Sequence, residues 1–151
     1  MDLITREIEH YFSFLFDSGF HIQSSKYIDE YMGYWEIIFE HSDCLVEIRD
    51  DRGEVCLDLG NKHEKTKKEM WFDLSALVFY LSEGQNFIGQ FDGQLRERDQ
   101  QFLRLAGILA DYLDKIIPVI GPGYELNKPS LLESNRLVYD LYMEEYRTRR
   151  K

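Results

Sequence analysis

The sequence predicts an α+β domain: an N-terminal helix, a four-stranded, mainly antiparallel meander sheet, and three C-terminal helices packed on one face of that sheet. Three observations carry this expectation. Between Gly33 and Gly60, three runs alternate apolar and polar residues and are separated by polar turns, as in a half-buried meander. At the N-terminus Leu3, Ile4, Ile8, Tyr11, Phe12 and Leu15 recur at steps of three and four, the spacing of an amphipathic helix. The same spacing returns in Phe102, Leu105, Ala106, Leu109, Leu113 and Ile116. A length of 151 residues, 44% of them apolar and 15% aromatic, suits one core and one domain over 1–151.

Taken in order, the first helix spans residues 1–17 and stops near Gly19. Alternation over Phe20 to Tyr27 gives a first strand, followed by a loop through Asp29, Glu30 and Gly33. A two-residue turn at Ser42-Asp43 pairs Phe39 with Val46, Ile37 with Ile48, Glu40 with Leu45, Ile38 with Glu47 and Glu36 with Arg49. For the next hairpin, a turn over Asp50 to Gly53 pairs Ile48 with Val55, Val46 with Leu57 and Cys44 with Leu59, and sets Arg49 opposite Glu54. A three-residue loop with a Gly53 bulge would turn Val55 and Leu57 outward and is rejected on burial grounds. Cys44 then faces the core and Cys56 the opposite side, too far apart for a disulfide. Asn61 to Glu69 reads as a charged loop, Trp71 as an anchor to the core, and Asp73 as the N-cap of a short helix ending at Leu81. Glu83 to Gly93 reads as an irregular segment whose Phe87, Ile88 and Phe91 tuck inward. A long helix covers Gln94 to Ile117 and ends at Pro118; Gly121-Pro122-Gly123 is a break, and Pro129 opens a last helix that runs to about Arg147.

Charge narrows the partners. A formal net charge of −10 disfavours direct nucleic-acid binding and attachment to an anionic membrane. No apolar run approaches the roughly 20 residues of a membrane span, and the acidic start MDLITREIEHYF lacks the form of a signal peptide. Two cysteines without a disulfide framework fit a reducing cytoplasm. Residues 1–60 hold fourteen acidic and four basic side chains, whereas residues 128–151 hold four and six. On the expected register the sheet face away from the core shows Glu36, Ile38, Glu40, Leu45, Glu47, Arg49, Glu54, Cys56 and Asp58, five acids and one base. Such a face has three uses: a solvated surface, a docking surface for a basic protein, or a seat for the C-terminal helix with its Arg136 and Arg147. The docking reading assigns partner contact to Glu36, Ile38, Glu40, Leu45, Glu47, Glu54 and Asp58.

Signatures of chemistry do not emerge. HExxH, GxSxG, Walker-type, GxGxxG and CxxC patterns do not occur. His10, His21, His41 and His63 lie on different expected elements, so no metal or other cofactor is expected. His41-Ser42-Asp43 resembles a triad only in composition, because neighbours at a turn tip do not line up as nucleophile, base and orienter. Asp50, Asp51, Glu54 and Asp58 lack the ligand order of an EF-hand. Tyr31, Tyr34, Trp35, Trp71 and Phe72 suit packing better than ligand stacking, and RTRRK suits a solvated end.

The run GYWEIIFEHSDCLVEIRDDRGEVCLDLG, followed by WFDLSALVFYL, resembles a pattern in small uncharacterised bacterial proteins, some of which look like immunity proteins of toxin systems. It covers Gly33 to Leu81 and implies a cytoplasmic protein that works by binding another protein. The leading expectation is therefore a non-enzymatic protein-binding module, an immunity-type inhibitor or an accessory subunit of a toxin or defence system. The alternatives are a small enzyme with a site near the Glu83 to Gly93 loop and a homo-oligomeric structural protein whose dimer buries the outer sheet face.

Overall fold

A computed structural model describes residues 2–28, 33–64, 71–89 and 97–150. It is α+β, with two helical segments α1 (Asp2–Tyr11) and α2 (Phe14–Asp17), strands β1 (His21–Ile28), β2 (Tyr34–Glu40), β3 (Cys44–Asp51), β4 (Glu54–Asn61) and β5 (Phe72–Asp73), and helices α3 (Leu74–Leu81), α4 (Arg98–Ile120) and α5 (Tyr124–Arg150). The strands form one antiparallel sheet in the order β1-β2-β3-β4-β5, so the expected four strands become five. The fifth is the two-residue strand just before α3, where Phe72 and Asp73 pair with Leu59 and Asp58. Loop residues Asp29, Glu30 and Tyr31, the stretch 65–70, and Phe91 with the rest of 90–96 lie outside the described residues.

The N-terminal helix is broken after Tyr11. Leu15 and Phe16 donate to the carbonyls of Phe12 and Ser13, three residues back, and this tighter winding puts both Phe12 and Leu15 fully inside. Gly19, at φ +92, then reverses the chain into β1.

The β2–β3 hairpin has the expected register, with Ile37 opposite Ile48 and Phe39 opposite Val46. The β3–β4 hairpin is two residues out of the expected one: Ile48 meets Leu57, Val46 meets Leu59, and Arg49 faces Cys56 rather than Glu54. Its turn is only Arg52-Gly53, at φ +56 and +89, as a tight hairpin turn of the primed type requires. Asp50 and Asp51 therefore belong to β3, and the Asp50 carboxylate accepts the Gly53 N–H at 3.1 Å. Because side chains alternate with a period of two, a slip of two keeps every residue on its expected face. Cys44 is inside and Cys56 outside, and both are free thiols.

The core lies between the sheet and the helices. Trp35, Ile37, Phe39, Val46, Ile48, Val55, Leu57 and Leu59 line the sheet side, with Phe12, Phe102, Leu105 and Leu109 among their helical partners. The anchor before α3 is Phe72, fully buried with its ring 6.3 Å from that of Tyr124; Trp71, one residue earlier, is only half-buried. Asp73 caps α3 as expected, accepting the Ser75 N–H at 2.7 Å. Gln101 fastens the start of α4 by accepting the Val55 N–H at 2.7 Å and donating to the Gly53 carbonyl at 3.0 Å. Asn61 fastens its end by donating to the Ile120 carbonyl at 2.8 Å.

Both prolines expected to bound helices lie inside them. Pro118 sits in the last turn of α4 with its ring exposed to solvent, and the helix continues to Ile120. It ends at Gly121, a position that only glycine fits, because a Cβ there would stand 2.8 Å from the Ile117 carbonyl and 2.9 Å from Asp43 Cβ. Pro129 lies in the second turn of α5, which begins at Tyr124 because the Asn127 N–H and Nδ2 both donate to the Gly123 carbonyl, at 3.0 and 2.7 Å. In each case the ring removes one backbone donor near a helix end.

Candidate docking surface

Strand pairing places Glu36, Ile38 and Glu40 of β2, Leu45 and Glu47 of β3, and Glu54 and Asp58 of β4 on the sheet face away from the core. All seven residues expected to contact a partner thus share one side. They are half-buried rather than fully exposed, since each stands among neighbours on adjacent strands.

This face is less acidic than the sequence alone implies, because its register brings in bases from other segments. Lys62, just past the end of β4, reaches Glu40 at 2.6 Å, and His21 of β1 lies 3.4 Å from the same carboxylate. The hydrogen bond from Lys62 pulls the Glu40 carboxyl below its usual range. Lys26 stands opposite Glu36 in the pairing of β1 with β2. In the middle, one Arg49 nitrogen bonds Glu47 at 3.0 Å and Asp58 at 2.5 Å, with the two carboxylates 16% and 15% exposed. Burial nevertheless raises the Glu47 pKa, with Arg49 opposing it. Tyr34 donates its hydroxyl to Glu36 at 2.7 Å. The face is a lattice of mutually held charges around Ile38 and Leu45.

One carboxyl at its β5 edge is differently placed. Asp73 sits opposite Asp58 and is pushed from an ordinary 3.8 up to about 6, first by burial and then by the Asp58 charge. Bonds from the Ser75 N–H and from Tyr142, whose hydroxyl also lies against Ser75 Oγ, oppose that rise. The sequence marked Asp73 only as a cap; its place beside Asp58 follows from β5 pairing, which a two-residue strand does not announce. Lys62 and Tyr142 were missed for the same reason, being brought in by the length of β4 and by a distant helix; Tyr34, weighed only as a stacking residue, stands two residues from Glu36 on the same face of β2.

The other sequence candidates resolve locally. At the β2–β3 turn, Ser42 Oγ lies 3.3 Å from His41 Nδ1 and 3.5 Å from Asp43, so the hydroxyl stands between base and acid and no relay forms. Trp35 is buried with its ring 5.8 Å from that of Phe102. α5 packs on α3, α4 and β5, and its Arg136 is held by Glu133 and Asp140 of its own helix rather than by the sheet. Among the described residues, no group of three or more His, Cys, Asp or Glu side chains is arranged to hold a metal ion, and no helix is long and apolar enough to cross a membrane. An open groove of about 610 Å³ between α3 and α5, lined by Phe79, Glu83, Pro129, Glu133 and Leu137 among others, adjoins the start of the Glu83 loop. From that loop Phe87 packs on Tyr142 at 5.3 Å between ring centres. No family model, no curated protein and no solved structure matches this chain.

Proposed function

We propose that this protein is a non-enzymatic protein-binding module that docks a basic partner on the outer face of its sheet. The resemblance of Gly33 to Leu81 to a pattern in small bacterial proteins, some of which look like immunity proteins, supports reading it as an immunity-type inhibitor or an accessory subunit of a bacterial toxin or defence system, acting in the cytoplasm. One observation carries the reading: Glu36, Glu40, Glu47 and Asp58 are all held in place by Tyr34, Lys62 and Arg49 around the apolar pair Ile38 and Leu45. A partner that meets carboxylates already fixed loses less side-chain freedom on binding, and its own cations compete for them as a set. Ile38 and Leu45 supply the dry centre that an interface needs.

Reversing Glu40 and Glu47 to Lys is a poor test, since it would remove the carboxylates that hold Lys62 and Arg49 and so disturb the fold itself. The cleaner probe is Leu45→Arg with Ile38→Arg, applied to a partner captured from the native cell and then purified. Association should slow and weaken while the unfolding midpoint barely moves, and the captured partner should protect backbone amides of β2 to β4 from exchange. Protection on the α3–α5 side instead, or binding unchanged by the two substitutions, would reject this face.

A further inference from the structure

The groove between α3 and α5, about 610 Å³ in volume, is of the size that takes a small organic molecule. Tyr80 of α3 donates its hydroxyl to Asn127 of α5 and joins the two helices beside it. Half-buried Phe79 and exposed Pro129 and Leu137 give it apolar walls. Just past α3, Gly84 folds the chain back over the Phe79 ring, so that a Cβ there would stand 3.5 Å from Phe79 Cζ.

Two polar groups in this groove lack what their surroundings call for. Ser134 is only 7% exposed, yet its hydroxyl makes no hydrogen bond among the described residues. A hydroxyl held at that depth without a partner has given up water and gained nothing in return. Its oxygen is not sealed off, and because Ser134 lines the groove, a partner reaches it from there.

Glu83 is the second. The Gly84 and Glu83 N–H groups donate to the Phe79 and Tyr80 carbonyls at 2.8 and 3.1 Å, which closes α3 in the way that glycine usually does, but the residue at the left-handed position is Glu83, at φ +55. The backbone is strained there, and the carboxylate stands at the negative end of a helix. It has neither an ion pair nor a hydrogen bond among the described residues. On the α5 side, by contrast, Glu133 is already held by Arg136 at 2.5 Å. Of the two carboxylates that line the groove, Glu83 is therefore the one left for a cation from outside.

We infer that this groove binds a small organic ammonium that carries an apolar body and a hydroxyl, with the ammonium on Glu83, the body along Phe79, Pro129 and Leu137, and the hydroxyl on Ser134. A cation at Glu83 offsets both the carboxylate and the helix end beside it. The site shares no residue with the outer sheet face.

Titration calorimetry of the full chain with tyramine, phenethylamine and 4-ethylphenol tests it, since the second lacks the hydroxyl and the third the ammonium. Tyramine should bind at one saturable site. Phenethylamine should bind roughly fivefold more weakly and 4-ethylphenol roughly tenfold more weakly. Glu83→Gln should bring tyramine down to the level of 4-ethylphenol and leave 4-ethylphenol unchanged. Ser134→Ala should make tyramine and phenethylamine equal. Glu83 is exposed and the Ser134 hydroxyl is unpaired, so both variants should keep the unfolding midpoint of the unsubstituted protein, which separates a lost ligand contact from lost folding. No saturable binding of any of the three, or tyramine binding indifferent to both substitutions, would overturn the proposal. So would an equal response to ethylamine, which would show only that a chain of net charge −10 attracts counter-ions.

Discussion

The two faces of this sheet come from the same strands and are held by different physics. On the inner face Ile37, Phe39, Val46, Ile48 and Leu59 have no exposed surface, and their contribution is area removed from water, indifferent to direction. On the outer face the contacts are pairwise and geometric, Arg49 between Glu47 and Asp58, Lys62 on Glu40, Tyr34 on Glu36. The inner face therefore needs only the right kind of residue at every second position. The outer face needs particular residues from four strands and a loop at particular heights, and it is there that a recognition surface has been built.

The largest expected effect lies inside. Replacing Ile48 by Ala should destabilise the protein by about 2 to 5 kcal/mol, through lost transfer energy and the cavity left among packed neighbours. Ile38, half-buried on the outer face opposite Glu47, is the matched control and should cost less than about 1 kcal/mol as Ala. Urea unfolding midpoints of the two variants measure the contrast directly. Equal losses would mean that the faces do not differ as described.

Next comes Asp73, the edge carboxyl, for which no ion pair with a base is found among the described residues. A folded-state pKa raised from 3.8 to about 6 means that the fold holds this proton more tightly than the unfolded chain does. Its contribution to stability is thus fully present below 3.8 and is lost as the pH rises through about 6. Two pKa units correspond to about 3 kcal/mol. Asp73→Asn keeps a side-chain acceptor for the Ser75 N–H and removes the titration. Relative to the unsubstituted protein, the Asn variant should therefore gain stability between pH 4 and 7, up to about that amount. A flat difference between the two pH–stability curves would show that Asp73 titrates as an ordinary carboxyl.

A smaller loss is expected from Arg49→Met, which keeps the stem and removes the bridge. Glu47 and Asp58 would be left facing each other, half-buried, at a cost of about 1 to 3 kcal/mol at neutral pH. The pH dependence identifies the cause. Without Arg49, which opposes the rise that burial gives the Glu47 carboxyl, Glu47 binds its proton more readily in the fold, and protonation removes the repulsion. The deficit should shrink as the pH falls toward the carboxylate range, whereas a deficit equal at pH 4 and pH 7 would mean that only packing of the stem was lost.

The contrast between the faces also explains which features were legible in the sequence. Alternation assigns Val46, Ile48, Val55 and Leu57 to the core in either register two residues apart, so the inner face could be read without knowing which of the two is adopted. Steps of three and four likewise revealed α1 and α4, and Asp73 before an apolar run revealed the start of α3. What could not be read depends on tertiary placement. Lys62 meets Glu40 only because β4 extends to Asn61, opposite Cys44. Tyr142 reaches Ser75 from a helix 67 residues further along the chain. Pro118 and Pro129 look like helix boundaries, yet near a helix end the loss of one backbone donor is small enough for packing to override.

The register of β3–β4 offers the finest test, because burial does not determine it and charge does not either. Arg49 would face Glu54 in the register two residues away, and it reaches Asp58 in the one adopted, so both satisfy it. The turn decides. A two-residue loop places positive φ at both Arg52 and Gly53, which costs glycine nothing but strains an arginine at +56. Asparagine tolerates that region far better, and Asn-Gly is the preferred pair for this turn. Arg52→Asn should therefore stabilise the protein by about 0.5 to 1 kcal/mol through relief of backbone strain, with no new contact made. The residue is exposed, so little packing is lost in exchange. If the urea midpoint falls instead, the turn is not of this type, and the strand pairing that puts Arg49 between Glu47 and Asp58 falls with it.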